Sequence, residues 1–205
     1  MSNLISHIKN FIKAPPTKRK IAWFYEKHGN GFEKWFQFEL MYWLGSREEH
    51  EVRLEKSVGV DGRKTDKTKN QVDMVVTLKR ESKKVSHAVE LKVTRGASGA
   101  VRKAINDLIR LDKCLESSWE FRSVTAVAVC AGLNGTKYEA FLEDLEEKNK
   151  KAWVYEKFPI PGCEAVIYVF GWRCPPRKAS KNEYHEFVQH LRSTGKEHGI
   201  SSFRS

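Results

Sequence analysis

Two short stretches decide the fold: QVDMVVTL at residues 71–78 and AVELKV at residues 88–93. Each is rich in apolar and β-branched residues, and a short charged turn separates them, so they are predicted to pair as an antiparallel hairpin. In that hairpin Asp73 comes to lie opposite Glu90. Lys92 follows Glu90 by two residues and therefore projects from the same face of its strand. Three ionisable groups thus interrupt what should be the apolar centre of a sheet.

The sequence around these strands is typical of an α/β protein. A half-exposed strand at residues 51–60 precedes them and completes a meander, and helices and strands alternate after it. The run at residues 124–131 is apolar enough for a strand that is covered on both faces. The other predicted elements are helices at 32–44, 98–116, 138–150 and after residue 180, and a strand at 166–171. We expect one α/β domain with a mixed central sheet flanked by helices.

The first 20 residues look separate from this domain. Apolar residues recur at helical spacing from Leu4 to Ile12, and a double proline ends the pattern before a run of basic residues. We therefore expect an N-terminal amphipathic helix and basic linker over residues 1–20, and the α/β domain over 21–205. Its core would span about 32–150, with a C-terminal strand and helix extension over 151–205.

Glu39 has an unusual position in the helix predicted for residues 32–44. At about 100° per residue, the aromatic residues of this helix fall within about 60° of Glu39. These are Phe32, Trp35, Phe36, Tyr42 and Trp43. A carboxylate among aromatic side chains is costly to bury unless a cation or a hydrogen-bond donor meets it. Glu39 is therefore interpreted either as half of a buried Glu–Arg pair or as a ligand or acid–base group at a site.

Asp73 and Glu90 would repel each other if they lay side by side. A shared proton, a cationic partner or a divalent metal ion relieves such repulsion, and Lys92 offsets only part of it. Oxygen ligands with room for water and a phosphate suit Mg²⁺ or Mn²⁺, which activate water and neutralise charge on the phosphate. These residues therefore indicate metal-dependent phosphodiester hydrolysis, and a purely structural network of ion pairs is the alternative.

Asp73 followed by Glu90-Leu91-Lys92 resembles the motif of the PD-(D/E)XK nuclease superfamily, whose fold is restriction-endonuclease-like. The order of predicted elements over residues 32–150 is similar as well: a helix, a three-stranded meander, a helix, a strand and a helix. The resemblance implies that Asp73, Glu90 and the main-chain carbonyl of Leu91 bind Mg²⁺ or Mn²⁺. It also implies that Lys92 positions the attacking water.

The resemblance extends to one residue outside the strands and fails at another. Glu39 matches the accessory acidic residue that such nucleases carry on the first helix. Val72 stands where the name of the motif has a proline, although this position is not a metal ligand. The implied activity is that of a Mg²⁺-dependent DNA endonuclease in defence, restriction or repair.

The chain is strongly basic, since 37 Lys and Arg against 26 Asp and Glu give a formal charge of +11. This charge favours a polyanionic partner, and we expect nucleic acid, DNA rather than RNA. Arg95, Arg102 and Lys103 follow the motif at the start of a helix, where cations and main-chain amides favour phosphate. Arg63 and Lys64 lie in the turn before the motif and are predicted to form a second contact.

The remaining expectations concern location and the alternative function. The longest apolar stretch is too short to span a bilayer and the N-terminus has no signal-peptide core, so we predict a cytoplasmic protein that does not bind membranes. Four dispersed cysteines favour reduced thiols. A homodimer or a protein partner stays open. The alternative to a nuclease is a non-catalytic nucleic-acid-binding or complex-assembly protein on the same fold.

Overall fold

The computed structural model describes residues 4–28, 31–59, 69–80, 83–114, 121–148, 152–173 and 181–200. The helices are α1 (Leu4–Lys13), α2 (Pro15–His28), α3 (Glu33–Gly45), α4 (Gly99–Leu111), α5 (Lys137–Lys148) and α6 (Lys181–Glu197). The strands are β1 (His50–Gly59), β2 (Lys69–Arg80), β3 (Lys83–Val93), β4 (Phe121–Ala131), β5 (Trp153–Pro159) and β6 (Ala165–Arg173). The helices and strands predicted from the sequence are present, with ends shifted by a few residues.

Within the described residues the six strands form one mixed sheet in the order β1-β2-β3-β4-β6-β5. β1, β2 and β3 form the predicted antiparallel meander. β4 runs parallel to β3, and α4 connects the two strands, while the β4–β6 and β6–β5 pairs are antiparallel. The prediction of an α/β fold with a mixed central sheet flanked by helices is confirmed.

The sheet lies between two helical layers, each with its own apolar core. Buried residues of α1, α2 and α3 pack on one face, and those of α4, α5 and α6 pack on the other. β4 contributes to both cores, since Ala126 and Ala128 join the α4–α6 core while Val127 and Val129 join the α1–α3 core. This double burial explains why β4 is an almost continuous apolar run in the sequence.

The N-terminal segment differs from the prediction of a helix followed by a basic linker. α1 buries Leu4, Ile8 and Ile12 completely in the core that it shares with α3. Residues 18–20 lie within α2, so the linker prediction is wrong. The double proline begins α2 rather than ending the helical region, because the first turn of a helix has no main-chain hydrogen bond for a proline to break. α1 and α2 are therefore part of the α/β layer structure.

The C-terminal segment is also part of the sheet, because β6 pairs directly with β4. The sequence analysis assigns no element to β5, an edge strand in which Trp153 and Tyr155 are buried while the residues after them are more exposed. Cys114, Cys130 and Cys163 are free thiols, as predicted, and Cys174 lies outside the described residues. None of the helices in the described ranges is both long and apolar enough to cross a bilayer.

Candidate active site

The predicted motif lies where β2 separates from β3. The two strands pair from Arg80 and Lys83 as far as Met74 and Val89, and the same register places Asp73 opposite Glu90, as predicted. At Asp73 the contact changes from main chain to side chain, because Oδ2 of Asp73 accepts a hydrogen bond from the main-chain N–H of Leu91 at 2.8 Å. The Asp73 carboxylate therefore accepts a hydrogen bond from a main-chain amide of β3 at the point where the main chain of β2 stops pairing with β3.

A second carboxylate continues this arrangement along β3. Glu33, in the first turn of α3, accepts a hydrogen bond through Oε2 from the main-chain N–H of Val93 at 3.1 Å. From the same helix, one turn later, the amide nitrogen of Gln37 donates to the main-chain carbonyl of Asp73 at 2.6 Å. The start of α3 thus holds the separating ends of both β2 and β3.

Lys92 lies at the centre of the carboxylates. Its Nζ is 3.2 Å from Asp73 Oδ2, 3.1 Å from Asp107 Oδ2 and 3.8 Å from Glu33 Oε1. Asp107 lies on α4 and also pairs with Arg110 at 2.7 Å. We call Glu33, Asp73, Glu90 and Asp107 the acidic cluster; it joins α3, β2, β3 and α4 around one ammonium group.

Glu90 is the most buried member of the acidic cluster, with 1% of its surface exposed. Its Oε1 has no hydrogen-bond partner, and the residue shares a hydrogen bond with Asp73. Burial, followed by the negative charges of Asp73 and Asp107, raises the pKa of Glu90 well above its ordinary value despite the nearby Lys92. The carboxyl group of Glu90 therefore releases its proton less readily than an ordinary glutamate does.

The same surroundings raise the pKa of both Lys92 and Glu33, which favours the charged form of Lys92 and the neutral form of Glu33. Burial alone would lower the pKa of Lys92, but Asp107, Asp73 and the other carboxylates outweigh it and raise the pKa above the ordinary value. Burial raises the pKa of Glu33, although Lys92 and the Val93 amide oppose this. Lys92 is consequently a firmly held cation at neutral pH and cannot act there as a proton acceptor.

Glu39 is not brought to this cluster. It pairs with Lys20 of α2 at 2.9 Å, and its side chain is 32% exposed. The predicted burial in an aromatic face is wrong, because the aromatic residues of α3 lie on both sides of the helix: Phe36 is buried, whereas Phe38 and Tyr42 are exposed. The carboxylate that α3 contributes to the cluster is Glu33.

The sequence analysis therefore missed three members of the site: Glu33, Gln37 and Asp107. A signal for each exists in helical spacing. Glu33 and Gln37 are one turn apart, on the same face as the buried Leu40 and Leu44. Asp107 lies three residues after the buried Ala104, on the apolar stripe of α4. A polar residue on the core-facing stripe of a helix is the feature that would have identified them.

The predicted nucleic-acid contacts have different environments. Arg102 and Lys103 are exposed in the first turns of α4, which begins soon after Lys92. Arg95 instead donates hydrogen bonds to the main-chain carbonyls of Tyr25 and Glu26 at the end of α2. Arg63 and Lys64 lie outside the described residues.

The spacing of the carboxylates limits how the acidic cluster could hold a metal ion. In the part of the chain that the structure describes, no three ligand atoms of His, Cys, Asp or Glu in this cluster lie within 4.8 Å of one another. A metal ion here would therefore depend on Asp73, Glu90 and a main-chain oxygen rather than on three side chains.

Comparisons with protein-family models, with curated proteins and with solved structures give no match for this chain. The resemblance to PD-(D/E)XK nucleases therefore rests on the residues and their arrangement alone.

We expect Glu90→Gln to stabilise the fold by an amount that grows with pH. Since the folded-state pKa of Glu90 is raised, the folded chain keeps a proton that the unfolded chain releases above its ordinary pKa of 4.5. Each pH unit above that value costs the folded state up to about 1.4 kcal/mol until the folded-state pKa is reached, and glutamine removes this cost. Urea unfolding at several pH values measures the difference.

The matched control is Glu147→Gln on α5, whose side chain is exposed. We expect it to change the free energy of unfolding by less than about 0.5 kcal/mol. Two results would contradict a raised pKa of Glu90 in the folded chain. One is a stabilisation by Glu90→Gln that does not change with pH, and the other is a loss of stability at neutral pH.

Proposed function

We propose that this chain is a nuclease with a restriction-endonuclease-like fold that hydrolyses phosphodiester bonds with the help of Mg²⁺ or Mn²⁺. The observation that carries the proposal is the convergence of the acidic cluster on Lys92 at the point where β2 leaves β3. Several carboxylates around one cation in the middle of a sheet break the usual pattern of an apolar core, and such local conflicts are typical of functional sites.

The residues present fit a divalent metal ion. Glu90 has a buried carboxyl oxygen without a partner, and it shares a hydrogen bond with the Asp73 side chain. Oxygen atoms of this kind are the ligands that Mg²⁺ and Mn²⁺ prefer. Asp73, Glu90 and the Leu91 carbonyl would hold the ion. When bound, such an ion lowers the pKa of a coordinated water and neutralises charge on a phosphate.

Lys92 supplies a fixed positive charge and hydrogen-bond donors. Its raised pKa keeps the ammonium protonated, so it can orient the attacking water or counter charge that develops on the phosphate, but it does not accept the proton of that water. Asp107 and Glu33 hold the ammonium in place. They act through Lys92 and are positioning residues.

The substrate side is expected to be the surface at the start of α4. Arg102 and Lys103 are exposed there, and the helix N-terminus adds main-chain amides that favour phosphate. The formal charge of +11 supports a polyanion as substrate. DNA rather than RNA is proposed on the resemblance to the nuclease motif.

A specific observation favours a second candidate, a non-catalytic nucleic-acid-binding or assembly protein on the same fold. Lys92 pairs with Asp73 and Asp107, so its ammonium group already neutralises part of the charge of the acidic cluster. A network of this kind can be kept for structure alone. Metal-dependent cleavage separates the two candidates.

We expect the wild-type chain to nick plasmid DNA with Mg²⁺ or Mn²⁺ and to lose this activity in EDTA. Asp73→Asn should keep the fold, because its amide oxygen can still accept the Leu91 N–H, but it should lose metal affinity and cleavage. Lys92→Ala should largely keep metal affinity while single-turnover cleavage falls by about 10²-fold or more. Calorimetric titration with Mn²⁺ and single-turnover assays provide both measurements.

The matched control for this experiment is Asp144→Asn. Asp144 lies on α5, which packs on the edge strand β5 far across the sheet from β2, and pairs with Lys148. The Asp144→Asn variant should cleave DNA like the wild type. Full activity in Asp73→Asn, or no cleavage of DNA or RNA by the wild type with either ion, would contradict the nuclease and favour the second candidate.

A second prediction separates Glu33 from Glu39. Glu33→Gln keeps an acceptor for the Val93 N–H but removes a negative charge beside Lys92, so cleavage should fall by about 10- to 100-fold without unfolding. Glu39→Gln breaks only a partly exposed pair with Lys20, worth about 0–1 kcal/mol, and should leave cleavage within roughly two-fold of wild type. If Glu39→Gln reduces cleavage and Glu33→Gln does not, the accessory acidic residue on α3 is Glu39 rather than Glu33.

A further inference from the structure

A second cluster of metal-ligating side chains lies away from the acidic cluster. It consists of His7 on α1, Glu49 in the connection between α3 and β1, and His50 at the start of β1, and we call it the histidine cluster. One ligand atom from each residue lies within 4.8 Å of the other two. His50 pairs with Leu78 of β2, five residues from Asp73, which places the two clusters roughly 17 Å apart along the strand.

The two histidines are buried without partners for the atoms that face Glu49. His7 and His50 have 9% and 0% of their side chains exposed. Nε2 of His7 is 3.9 Å from Oε1 of Glu49, and Nε2 of His50 is 3.7 Å from the same oxygen. Among the residues that the structure describes, neither of these nitrogen atoms has a hydrogen-bond partner, and the same holds for Nδ1 of His7. Burying unpaired imidazole nitrogen atoms costs free energy, which a bound ion would offset.

The main chain fixes which nitrogen of His50 can bind a metal. Nδ1 of His50 lies 3.0 Å from the carbonyl oxygen of Leu44, and a carbonyl can only accept, so Nδ1 carries the proton and donates it. In the neutral ring Nε2 then has the free lone pair and points toward Glu49. A hydrogen bond from the other ring nitrogen to a carbonyl is the usual second partner of a metal-bound histidine.

The main chain holds Glu49 next to the two histidines. Its carbonyl oxygen accepts a hydrogen bond from the Lys79 N–H at 2.8 Å, which anchors this residue to β2. The rings of His7 and His50 contact each other edge to face, with their centroids 4.8 Å apart.

The donor set selects the class of metal. Two imidazoles and one carboxylate suit Zn²⁺ and similar transition-metal ions, whereas Mg²⁺ prefers oxygen ligands and retains its water. Arg47 places positive charge beside the histidine cluster and so opposes any cation that binds by charge alone. Coordination by imidazole nitrogen, rather than long-range attraction, must therefore provide the affinity.

We propose that His7, Glu49 and His50 form a site for Zn²⁺ or a similar divalent transition-metal ion that ties α1 to the start of β1. Ligands of a tetrahedral zinc site lie about 3.3 Å apart, so the two distances from the histidines to Glu49, 3.9 and 3.7 Å, need to contract by about half an ångström. All three ligand atoms already lie within 4.8 Å of one another. The Glu49 side chain is half-exposed and lines a shallow cavity together with Arg47, Glu48 and Lys79. Three protein ligands leave a fourth position for water or another ligand.

The test is Zn²⁺ titration of the full-length, metal-depleted chain against a chromophoric chelator. We expect one Zn²⁺ per chain, an increase in Tm on addition of Zn²⁺, and four-coordinate visible bands with Co²⁺. His7→Leu replaces an unpaired buried imidazole with an apolar side chain and should fold well. It should weaken Zn²⁺ binding by at least about 10- to 100-fold and lose the increase in Tm. Glu49→Gln changes a half-exposed side chain and should weaken binding similarly.

Two control variants locate the ion. His28→Gln changes an exposed histidine at the end of α2 and should bind Zn²⁺ like the wild type. Asp73→Asn, in the acidic cluster, should also retain the zinc site. The proposal is overturned if wild type binds no Zn²⁺ beyond the level of His7→Leu, or if Asp73→Asn loses the ion while His7→Leu and Glu49→Gln keep it. These results are independent of any nuclease activity.

Discussion

The ammonium group of Lys92, 3.2 Å from Asp73 and 3.1 Å from Asp107, is the contact on which the arrangement of the site depends. Four elements meet there, and each brings a carboxylate that would repel the others without a cation between them. Lys92, Asp73 and Glu33 are only partly buried, and removing one of these partners leaves part of the charge of the others uncompensated. Lys92 therefore links the stability of the fold to the geometry of the site.

The separation of β2 from β3 explains how carboxylates can enter the middle of a sheet. Main-chain amides that lose their strand partner need another acceptor, and Asp73 and Glu33 provide one for Leu91 and Val93. The same hydrogen bonds fix the directions of the two carboxylates. The strand pairing that is lost here is replaced by contacts that also build the acidic cluster, in which burial raises the pKa of Glu90.

Much of this could be predicted from the sequence, for a definite physical reason. Strand pairing has a period of two and a hairpin fixes the register, so Asp73 and Glu90 could be placed opposite each other from their numbering alone. Glu33 and Asp107 were not predicted, and the burial of Glu39 was predicted wrongly, for a different reason. Which face of a helix meets the sheet depends on tertiary packing, and α3 carries aromatic residues on both of its sides.

The histidine cluster depends even more on tertiary packing and could not be predicted from the sequence. His7 and His50 come together because α1 packs beside α3, and the sequence predicted an N-terminal amphipathic helix without specifying where it packs. The double proline was compatible with a helix end and with a helix start, and only packing decided between them. Local signals thus predicted most elements and the strand motif, while contacts between distant segments had to come from the three-dimensional structure.

The central claim is that the acidic cluster holds a divalent ion between Asp73 and Glu90. Anomalous diffraction from crystals soaked in Mn²⁺ tests it most directly. The account predicts a peak beside the carboxylates of Asp73 and Glu90 that is missing in Asp73→Asn crystals. Soaked crystals with no peak there, in which Lys92 still bridges Asp73 and Asp107, would show an ion-pair network without a metal site and contradict the claim.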